Sequence, residues 1–347
     1  RVIIPDTVKE IASYAFNRCS LTEIVIPDSV TTIGICAFRD CSSVASITIG
    51  KGVKTIGDNA FQLNRDLETK ELTINYDGPM SGWCNISGLG ALMGYNVGNK
   101  RTLIIDGQEI AGTLTIPDGV TNIDRYAFYG CDKLTQITIG KSVTSIGSLA
   151  FNGCGLLNSI TVSPENAALH IANNCLIATE SKTMLFGWGS CTIPSDGSVT
   201  SIAEYAAYEN LVLTSITIPG SVTTIGKQAF SECKVLTQVT ISDGVTIIDD
   251  HAFYNCKELT SVTMGNTVER IGTSAFYWCR KLQTIVISAT VTYIGNSAFA
   301  DCYQLDRIYF RGTSDQWKAI EKVGSWSSSM GRDALNGYTK YTYNYAG

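Results

Sequence analysis

Apolar and polar residues alternate in a pattern that recurs along the whole chain. Its fullest copy is Leu236–Phe253, LTQVTISDGVTIIDDHAF, which reads L-x-x-[IV]-x-[IM], a turn, V-x-x-I, a variable stretch and A-F. The first segment alternates with period two, which predicts a short strand. Pro, Asp and Gly in the equivalent turns supply the backbone angles of a tight bend. Each copy therefore predicts a strand, a turn and a return segment that share one apolar side.

The copies follow one another at a nearly fixed period, marked by phenylalanine. The spacing is 23 residues where the array is regular and 22 at its first step, and Ala207 takes the place of a marker between Phe151 and Phe230. A period of about 20–29 residues around this apolar core indicates a leucine-rich-repeat solenoid. A single coil cannot bury its apolar side, so stacked neighbours must build one continuous core. The marker residues are Phe16, Phe38, Phe61, Phe128, Phe151, Phe230, Phe253, Phe276 and Phe299.

The first strand of each copy has an inward and an outward side. In Thr214–Pro219, Ile216 and Ile218 take the inward positions, and Ser215 and Thr217 the outward ones. Equivalent strands pair in parallel, so the outward residues form ladders spaced by about 4.8 Å. We predict a right-handed, curved solenoid with a short-stranded parallel β-sheet on its concave face and irregular or short helical turns on its convex face.

The outward ladder is the candidate binding surface, because extended solenoids usually engage their partners there. Threonine also suits a half-exposed strand without any ligand. The residues that interrupt the uniform Ser/Thr rows, Gln136, Gln238, Arg307 and Tyr309, are therefore the better candidates. The full candidate set is Gln136, Thr138, Thr217, Gln238, Thr240, Thr263, Thr284, Arg307 and Tyr309.

Two segments interrupt the array. Within residues 77–113, Leu103–Leu114 predicts a β-hairpin around its Asp-Gly turn. Within residues 163–191, three apolar runs predict a small hairpin that replaces one turn. We divide the chain into a solenoid at 1–310 with coils of about 23 residues, interrupted at 77–113 and 163–191, and a capping module at 311–347.

The capping module resembles the first interruption. Ile308–Ile320 aligns without gaps with Ile74–Ile86, and a capping residue at Thr313 or Ser314 predicts one short helix. The shared tryptophans, Trp83 and Trp317, are interpreted as packing a cap over the core, with stacking on a sugar or a partner as the alternative. The alignment matches Gly312 with Gly78, Trp317 with Trp83 and Ile320 with Ile86.

Cysteine also follows the repeat. Eight of the 12 cysteines stand three residues after a marker, which predicts a structural ladder of buried free thiols acting as small apolar residues. Disulfides between neighbouring coils are the alternative, and a metal site is less favoured because no C-x-x-C spacing occurs. The remaining Cys36, Cys84, Cys175 and Cys191 are the better candidates for any bridge. The ladder residues are Cys19, Cys41, Cys131, Cys154, Cys233, Cys256, Cys279 and Cys302.

The amino-acid composition argues against several classes of function. The net charge is −5 without any basic cluster, which argues against nucleic-acid binding, and no run of 18 apolar residues predicts a membrane span. With two histidines, no G-x-S-x-G motif and no phosphate loop or dinucleotide fingerprint, the sequence predicts no enzyme, no metal and no cofactor. His251 occupies a variable position and is expected to be an exposed bystander. An enzyme acting at one of the two interruptions is the third hypothesis, for which the sequence offers no catalytic residue.

The motif L-x-x-I-x-I-P-x-[SG]-V-x-x-I-G-x-x-A-F-x-x-C, carried by residues 213–233 and their neighbours, resembles the BspA-like, or Treponema-type, leucine-rich repeats of bacterial surface proteins. The resemblance implies export to the cell surface and a non-catalytic role in adhesion, with a host or bacterial protein or glycan as ligand. A rigid spacer that presents another domain is the alternative. Because the chain opens in mid-repeat at Arg1, we expect it to be a fragment or a processed product, with leader and anchor elsewhere.

Overall fold

The computed structural model describes residues 2–64, 71–94 and 101–327, together with the backbone of 340–342. Two compact units divide the chain, Arg1–Ala168 and Leu169–Gly347. Both are β-solenoids of parallel strands with little helix, as the period predicts.

The first unit consists of short strands and two short helices in the part of the chain that the structure describes. In chain order these are β1 (Glu10–Ile11), β2 (Glu23–Ile26), β3 (Thr32–Ile33), β4 (Ser46–Ile49), β5 (Thr55–Ile56), β6 (Leu72–Tyr76), α1 (Met80–Cys84), α2 (Gly90–Met93), β7 (Arg101–Ile105), β8 (Gln108–Glu109), β9 (Gly112–Ile116), β10 (Asn122–Ile123), β11 (Leu134–Ile139), β12 (Ser145–Ile146) and β13 (Ser159–Val162).

The second unit begins with three strands of the second interruption and continues with regular coils. Its elements, among the described residues, are β14 (Leu169–Ala172), β15 (Cys175–Ala178), β16 (Thr183–Gly187), β17 (Ser201–Ile202), β18 (Ser215–Ile218), β19 (Thr224–Ile225), β20 (Gln238–Ile241), β21 (Ile247–Ile248), β22 (Ser261–Met264), β23 (Arg270–Ile271), β24 (Thr284–Ile287), β25 (Tyr293–Ile294), β26 (Arg307–Phe310), α3 (Ser314–Ala319), β27 (Glu321–Lys322) and β28 (Lys340–Thr342).

Each regular coil contributes two strands, not one. In the second unit the predicted strands pair in parallel in the order β18-β20-β22-β24-β26-β28. Burial alternates along the four-residue strands β18 to β26 as the sequence pattern requires. The return segment V-x-x-I also forms a two-residue strand, and these strands build a second parallel run, β17-β19-β21-β23-β25-β27. The sequence pattern does not indicate this second sheet, because two residues are too few to show a period.

The marker phenylalanines stack in a column inside each unit. Ring centroids lie 5.3 Å apart for Phe230 and Phe253, and 5.4 Å apart for Phe276 and Phe299, with interplanar angles of 5° and 2°. The loop that holds each ring is a turn without helix, and residues two before and two after the ring adopt positive φ, as at His251 (59°) and Asn255 (54°). This conformation is costly for side chains other than glycine, so two positions of most coils carry backbone strain.

Hydrogen bonds between coils have opposite polarity on the two sides of the solenoid. On the strand side, N–H groups donate to the preceding coil, as from Thr237 to the Thr214 carbonyl at 2.8 Å. In the phenylalanine loops, N–H groups donate to the following coil, as from Phe230 to the Ala252 carbonyl at 2.8 Å. A column of loops therefore needs an additional donor at its first member and an additional acceptor at its last.

The two interruptions differ in part from the predicted hairpins. In the first, β7 and β8 form the antiparallel pair around Asp106 and Gly107, which both have positive φ, while β9 rejoins the parallel array beside β11. In the second, the prediction of one hairpin is wrong, because β14, β15 and β16 form a three-stranded antiparallel meander. Strand β16 then pairs in parallel with β17, so it connects the meander to the regular coils.

The two aligned tryptophan modules share their local geometry. Trp83 packs on Tyr76 at a centroid distance of 5.6 Å, and Trp317 packs on Phe310 at 5.2 Å. Both tryptophans are buried, at 0% and 8% exposure. The glycine of each module leaves room for the aromatic ring: a Cβ on Gly78 would lie 2.6 Å from Tyr76 Oη, and one on Gly312 would lie 2.5 Å from Phe310 Cε1.

The helix expected in the second module is α3. Thr313 is its N-cap, and a capping box joins the Thr313 hydroxyl and backbone to the backbone and side chain of Gln316. The module continues as far as Trp326, whose carbonyl accepts the N–H of Phe299 at 2.9 Å. Trp326 thus supplies the acceptor that the last loop of the column needs. The predicted 311–347 module extends through 328–339 and 343–347, which lie outside the described residues.

Candidate binding surface

The outward residues of the six-stranded sheet form two columns in register. One column runs Ser215, Gln238, Ser261, Thr284 and Arg307, and the other contains Thr217, Thr240 and Thr263, with Val286 beside Tyr309. Seven of the nine predicted ligand-binding residues therefore lie on one face, which we call the outer strand face. Gln136 and Thr138 lie on β11, in a sheet of the first unit.

Three threonine hydroxyls on the outer strand face make no hydrogen bond within the described residues. Thr217, Thr240 and Thr263 are exposed, and their side chains have no hydrogen-bond partner within the described residues. The exposed amide of Gln238 is likewise unpartnered there. By contrast, the threonines one column earlier use their hydroxyls internally: Thr237 donates to the Thr214 carbonyl at 2.9 Å.

The first unit's outward residues bond to one another. Thr161 Oγ1 donates to Thr138 Oγ1 at 3.2 Å, and Thr113 Oγ1 donates to Gln136 Oε1 at 3.2 Å. Their hydrogen-bonding capacity is partly used within the fold. This difference between the two faces favours the second unit as a binding surface.

Strand β26 contributes a cation and an aromatic ring to the outer strand face. Arg307 Nη1 donates to Tyr309 Oη at 3.0 Å, and its guanidinium lies 5.8 Å from the ring centroid. The bond to the phenol raises the pKa of Arg307 above its usual value, so the residue stays charged. Every other outward position on β18–β26 is uncharged.

The phenylalanine-loop side of the second unit holds a group of aromatic side chains. Tyr277 and Trp278 are half-buried, and Tyr277 stacks on Tyr254 at 5.4 Å. Trp278 Nε1 donates to Asp301 Oδ2 at 3.1 Å, and a hydrogen bond with Asp301 raises the pKa of Tyr277 to about 12. The indole N–H of Trp278 and the phenol of Tyr277 therefore both have hydrogen-bond partners within the protein.

His251 lies beside this group and is half-buried, so the expectation of an exposed side chain is wrong. Its ring is 5.6 Å from that of Tyr254, and Nδ1 has no hydrogen-bond partner among the described residues. Burial lowers its pKa below the ordinary value.

A cleft of about 480 Å³ in the first unit was not found from the sequence. It lies where the first interruption replaces a phenylalanine loop, between Asp58 and Asn59 of one coil and Asp124, Arg125 and Tyr126 of the next regular loop. Asp124 Oδ2 accepts the N–H of Gly88 at 3.2 Å across its floor. The absence of a marker phenylalanine between Phe61 and Phe128 was the sequence feature that could have indicated this cleft.

The cysteine ladder repeats one contact in successive coils. The thiol of Cys256 donates to the Phe230 carbonyl at 3.2 Å, and that of Cys279 donates to the Phe253 carbonyl at 3.3 Å. Burial raises the pKa of these thiols well above the ordinary value, and that of Cys131 to about 12. Of the ladder residues, all but the half-buried Cys19 are buried, and the structure holds the cysteines as free thiols.

Within residues 2–64, 71–94 and 101–327, the structure has no group of His, Cys, Asp and Glu side chains that could hold a metal ion. Over the same residues, no helix has the length and apolarity that crossing a membrane requires.

Comparison with known families identifies the repeat. The family described as "BspA type Leucine rich repeat region" matches residues 1–77, 109–196 and 200–320, in six copies. The chain belongs to the BspA-type leucine-rich-repeat family. This membership confirms the resemblance seen in the motif and indicates a protein-interaction or surface role.

Solved structures agree with this assignment. A leucine-rich cell surface protein from Faecalibacterium prausnitzii is 26% identical, with a TM-score of 0.60 and an alignment over 90% of this chain and 86% of that one. A leucine-rich repeat protein from Eubacterium ventriosum (19% identity, TM-score 0.54, 94% and 87% covered) and the pneumococcal vaccine antigen PcpA (17%, 0.52, 92% and 78%) share the fold. No curated protein matches the sequence.

Proposed function

We propose that this BspA-type protein is a non-catalytic binding module displayed at a bacterial surface, and that the outer strand face holds a protein or glycan partner. The observation that carries the proposal is the row of exposed hydroxyl and amide groups that have no partner among the described residues, together with the Arg307–Tyr309 pair on the same face. Family membership and the cell-surface protein from F. prausnitzii support the location.

The chemistry of this face suits a neutral, extended ligand. Parallel strands repeat the same polar group about every 4.8 Å along the sheet. A glycan or an extended peptide presents polar groups at intervals along its own length, so several weak hydrogen bonds add up over the contact. Tyr309 adds an amphipathic ring, the kind of side chain that is enriched at binding hot spots. Among the outward residues of β18–β26 only Arg307 is charged, so added salt should weaken binding to these strands little.

A binding screen of the purified chain against extracellular-matrix proteins and a glycan array tests the proposal. For any ligand found, Tyr309→Ala and Gln238→Glu should weaken binding about tenfold or more, which corresponds to about 1.4 kcal/mol or more. The matched controls are Tyr303→Ala and Gln304→Glu, which change the same residue types in the turn before β26 and should leave affinity unchanged. Circular dichroism checks that all four variants are folded.

Two results would count against the proposal. Ligand affinity that is the same for the wild type and the two face variants would remove the outer strand face from the interaction. The absence of any ligand in both screens would favour the alternative of a rigid spacer, for which the continuous stack of rings and interlocked coils is well suited.

A further inference from the structure

Two cysteines of the second interruption lie against each other at one end of the second unit. Cys175 is on β15, directly opposite Gly187 of β16. Cys191 follows in the segment after β16, and this segment is held to the turn before β15 by two backbone bonds. Trp188 N–H donates to the Asn174 carbonyl at 3.2 Å, and Thr192 N–H donates to the Asn173 carbonyl at 3.0 Å.

The side chains of this pair converge beside Gly187. Cys175 Sγ also lies 3.6 Å from the carbonyl oxygen of Thr192, the residue next to Cys191. Room for the contact depends on Gly187, because a Cβ there would lie 2.9 Å from Cys191 Sγ. Both side chains are buried, at 0% and 3% exposure.

The ladder thiols are arranged differently. Cys233, Cys256, Cys279 and Cys302 each donate to a main-chain carbonyl of the preceding coil, at 3.1–3.3 Å. Within the described residues, no side-chain hydrogen bond joins two ladder thiols. Each of these ladder thiols therefore bonds to the preceding coil, whereas Cys175 bonds locally, to the carbonyl oxygens of Asn173 at 3.7 Å and Thr192 at 3.6 Å, beside Cys191.

We propose that Cys175 and Cys191 are a covalent modification site, at which a disulfide forms by exchange with a disulfide-bearing oxidant. One protein thiolate attacks the oxidant's S–S bond, forms a mixed disulfide and releases one oxidant thiolate. The second protein thiolate then attacks the mixed disulfide and releases the other. The two cysteines lose two protons and two electrons, and the oxidant's S–S bond is reduced to two thiols.

The disulfide would join the meander to the segment that enters the regular coils. The reaction takes place while the chain folds, before burial closes the site, and disulfides of this kind persist outside the cell.

Refolding the reduced, full chain from urea with oxidised and reduced glutathione tests this inference. Remaining thiols are blocked with iodoacetamide in denaturant, and the digest is read by mass spectrometry. The expected product links the Cys175 and Cys191 peptides, with two hydrogens fewer than the free thiols, while the ladder cysteines are alkylated. Cys233 and Cys256, neighbours on the ladder, are the internal control.

A second readout is the urea midpoint with and without reductant. It should fall on reduction in the wild type and stay unchanged in a Cys175→Ala, Cys191→Ala double variant, since nothing remains to be cleaved. Alkylation of both Cys175 and Cys191 after refolding, or links that form preferentially within the ladder, would overturn the proposal. If the urea midpoint of the oxidised wild type did not change on addition of reductant, the proposed stabilising role of the disulfide would also be wrong.

Discussion

The indole Nε1 of Trp83 donates a hydrogen bond of 2.9 Å to the carbonyl oxygen of Ala127. In regular coils the corresponding alanine carbonyl accepts the backbone N–H of the preceding phenylalanine, as Ala252 does from Phe230. The Trp83 side chain therefore takes the place of a phenylalanine loop that is absent before Phe128. It fills the core there and donates the hydrogen bond that the loop of Phe128 would otherwise lack.

Removing this donor should be costly. Trp83→Phe leaves the Ala127 carbonyl without its partner in a site where Trp83 is fully buried, and an unsatisfied buried group costs about 1–3 kcal/mol. Urea denaturation should show a correspondingly lower midpoint. Trp188→Phe is the matched control, because Trp188 Nε1 is buried without a partner in the described part of the chain. A loss at Trp83 no larger than that at Trp188 would disprove the role assigned to this bond.

Backbone strain predicts opposite outcomes for the same substitution at two serines. Ser274 has a φ of 52° beside a phenylalanine loop, whereas Ser215 lies in the extended strand β18. Ser274→Gly should raise the free energy of unfolding by about 0.5–1 kcal/mol, because glycine adopts positive φ without a steric penalty. Ser215→Gly should lower it by about 0.5–1 kcal/mol. If both variants shift the unfolding midpoint in the same direction, strain at Ser274 does not govern its stability.

The repeat made the overall fold predictable from the sequence. Segments that depart from the repeat were harder to predict. Alternation in β18 places Ile216 and Ile218 in the core because a single pattern is repeated in every coil, so the errors of one copy are corrected by the others. The meander at β14–β16 occurs once, and its apolar runs do not distinguish one hairpin from two. Trp326 closes the phenylalanine column from outside the period, where no pattern could indicate it.

The candidate surface was predictable only as a set of outward positions. The sequence placed Thr138 and Thr217 in equivalent positions, and both are indeed on the outward side of their strands, β11 and β18. It could not show that Thr138 bonds to Thr161 while Thr217 is unpartnered within the described residues. Such differences depend on side-chain rotamers in neighbouring coils, which a shared period does not encode.

Thiol reactivity in the folded protein should follow position on the cysteine ladder. Cys19 belongs to the first described coil and is half-buried, whereas Cys256 is fully buried and burial raises its pKa. Since the thiolate is the reactive form, iodoacetamide should label Cys19 first and leave Cys256 unlabelled until the chain unfolds. Peptide mapping after timed labelling in buffer and in urea gives both rates. Rapid labelling of Cys256 in buffer would contradict a closed core.

Acid should destabilise the second unit partly through His251. Burial lowers its pKa in the folded state, with Asp250 opposing this shift and Lys227 adding to it. As pH falls through the ordinary value of about 6.5, the unfolded chain takes up the proton first, so the free energy of unfolding falls. The loss of stability is absent at pH values well above about 6.5 and is complete at pH values below the lowered pKa of His251 in the folded state. In His251→Asn the residue cannot titrate, and asparagine tolerates the φ of 59°, as Asn59 does two residues before Phe61. The difference between the urea midpoints at pH 8 and pH 5 should therefore be smaller in the variant than in the wild type. An equal fall in both proteins would show that His251 takes no part in the acid response.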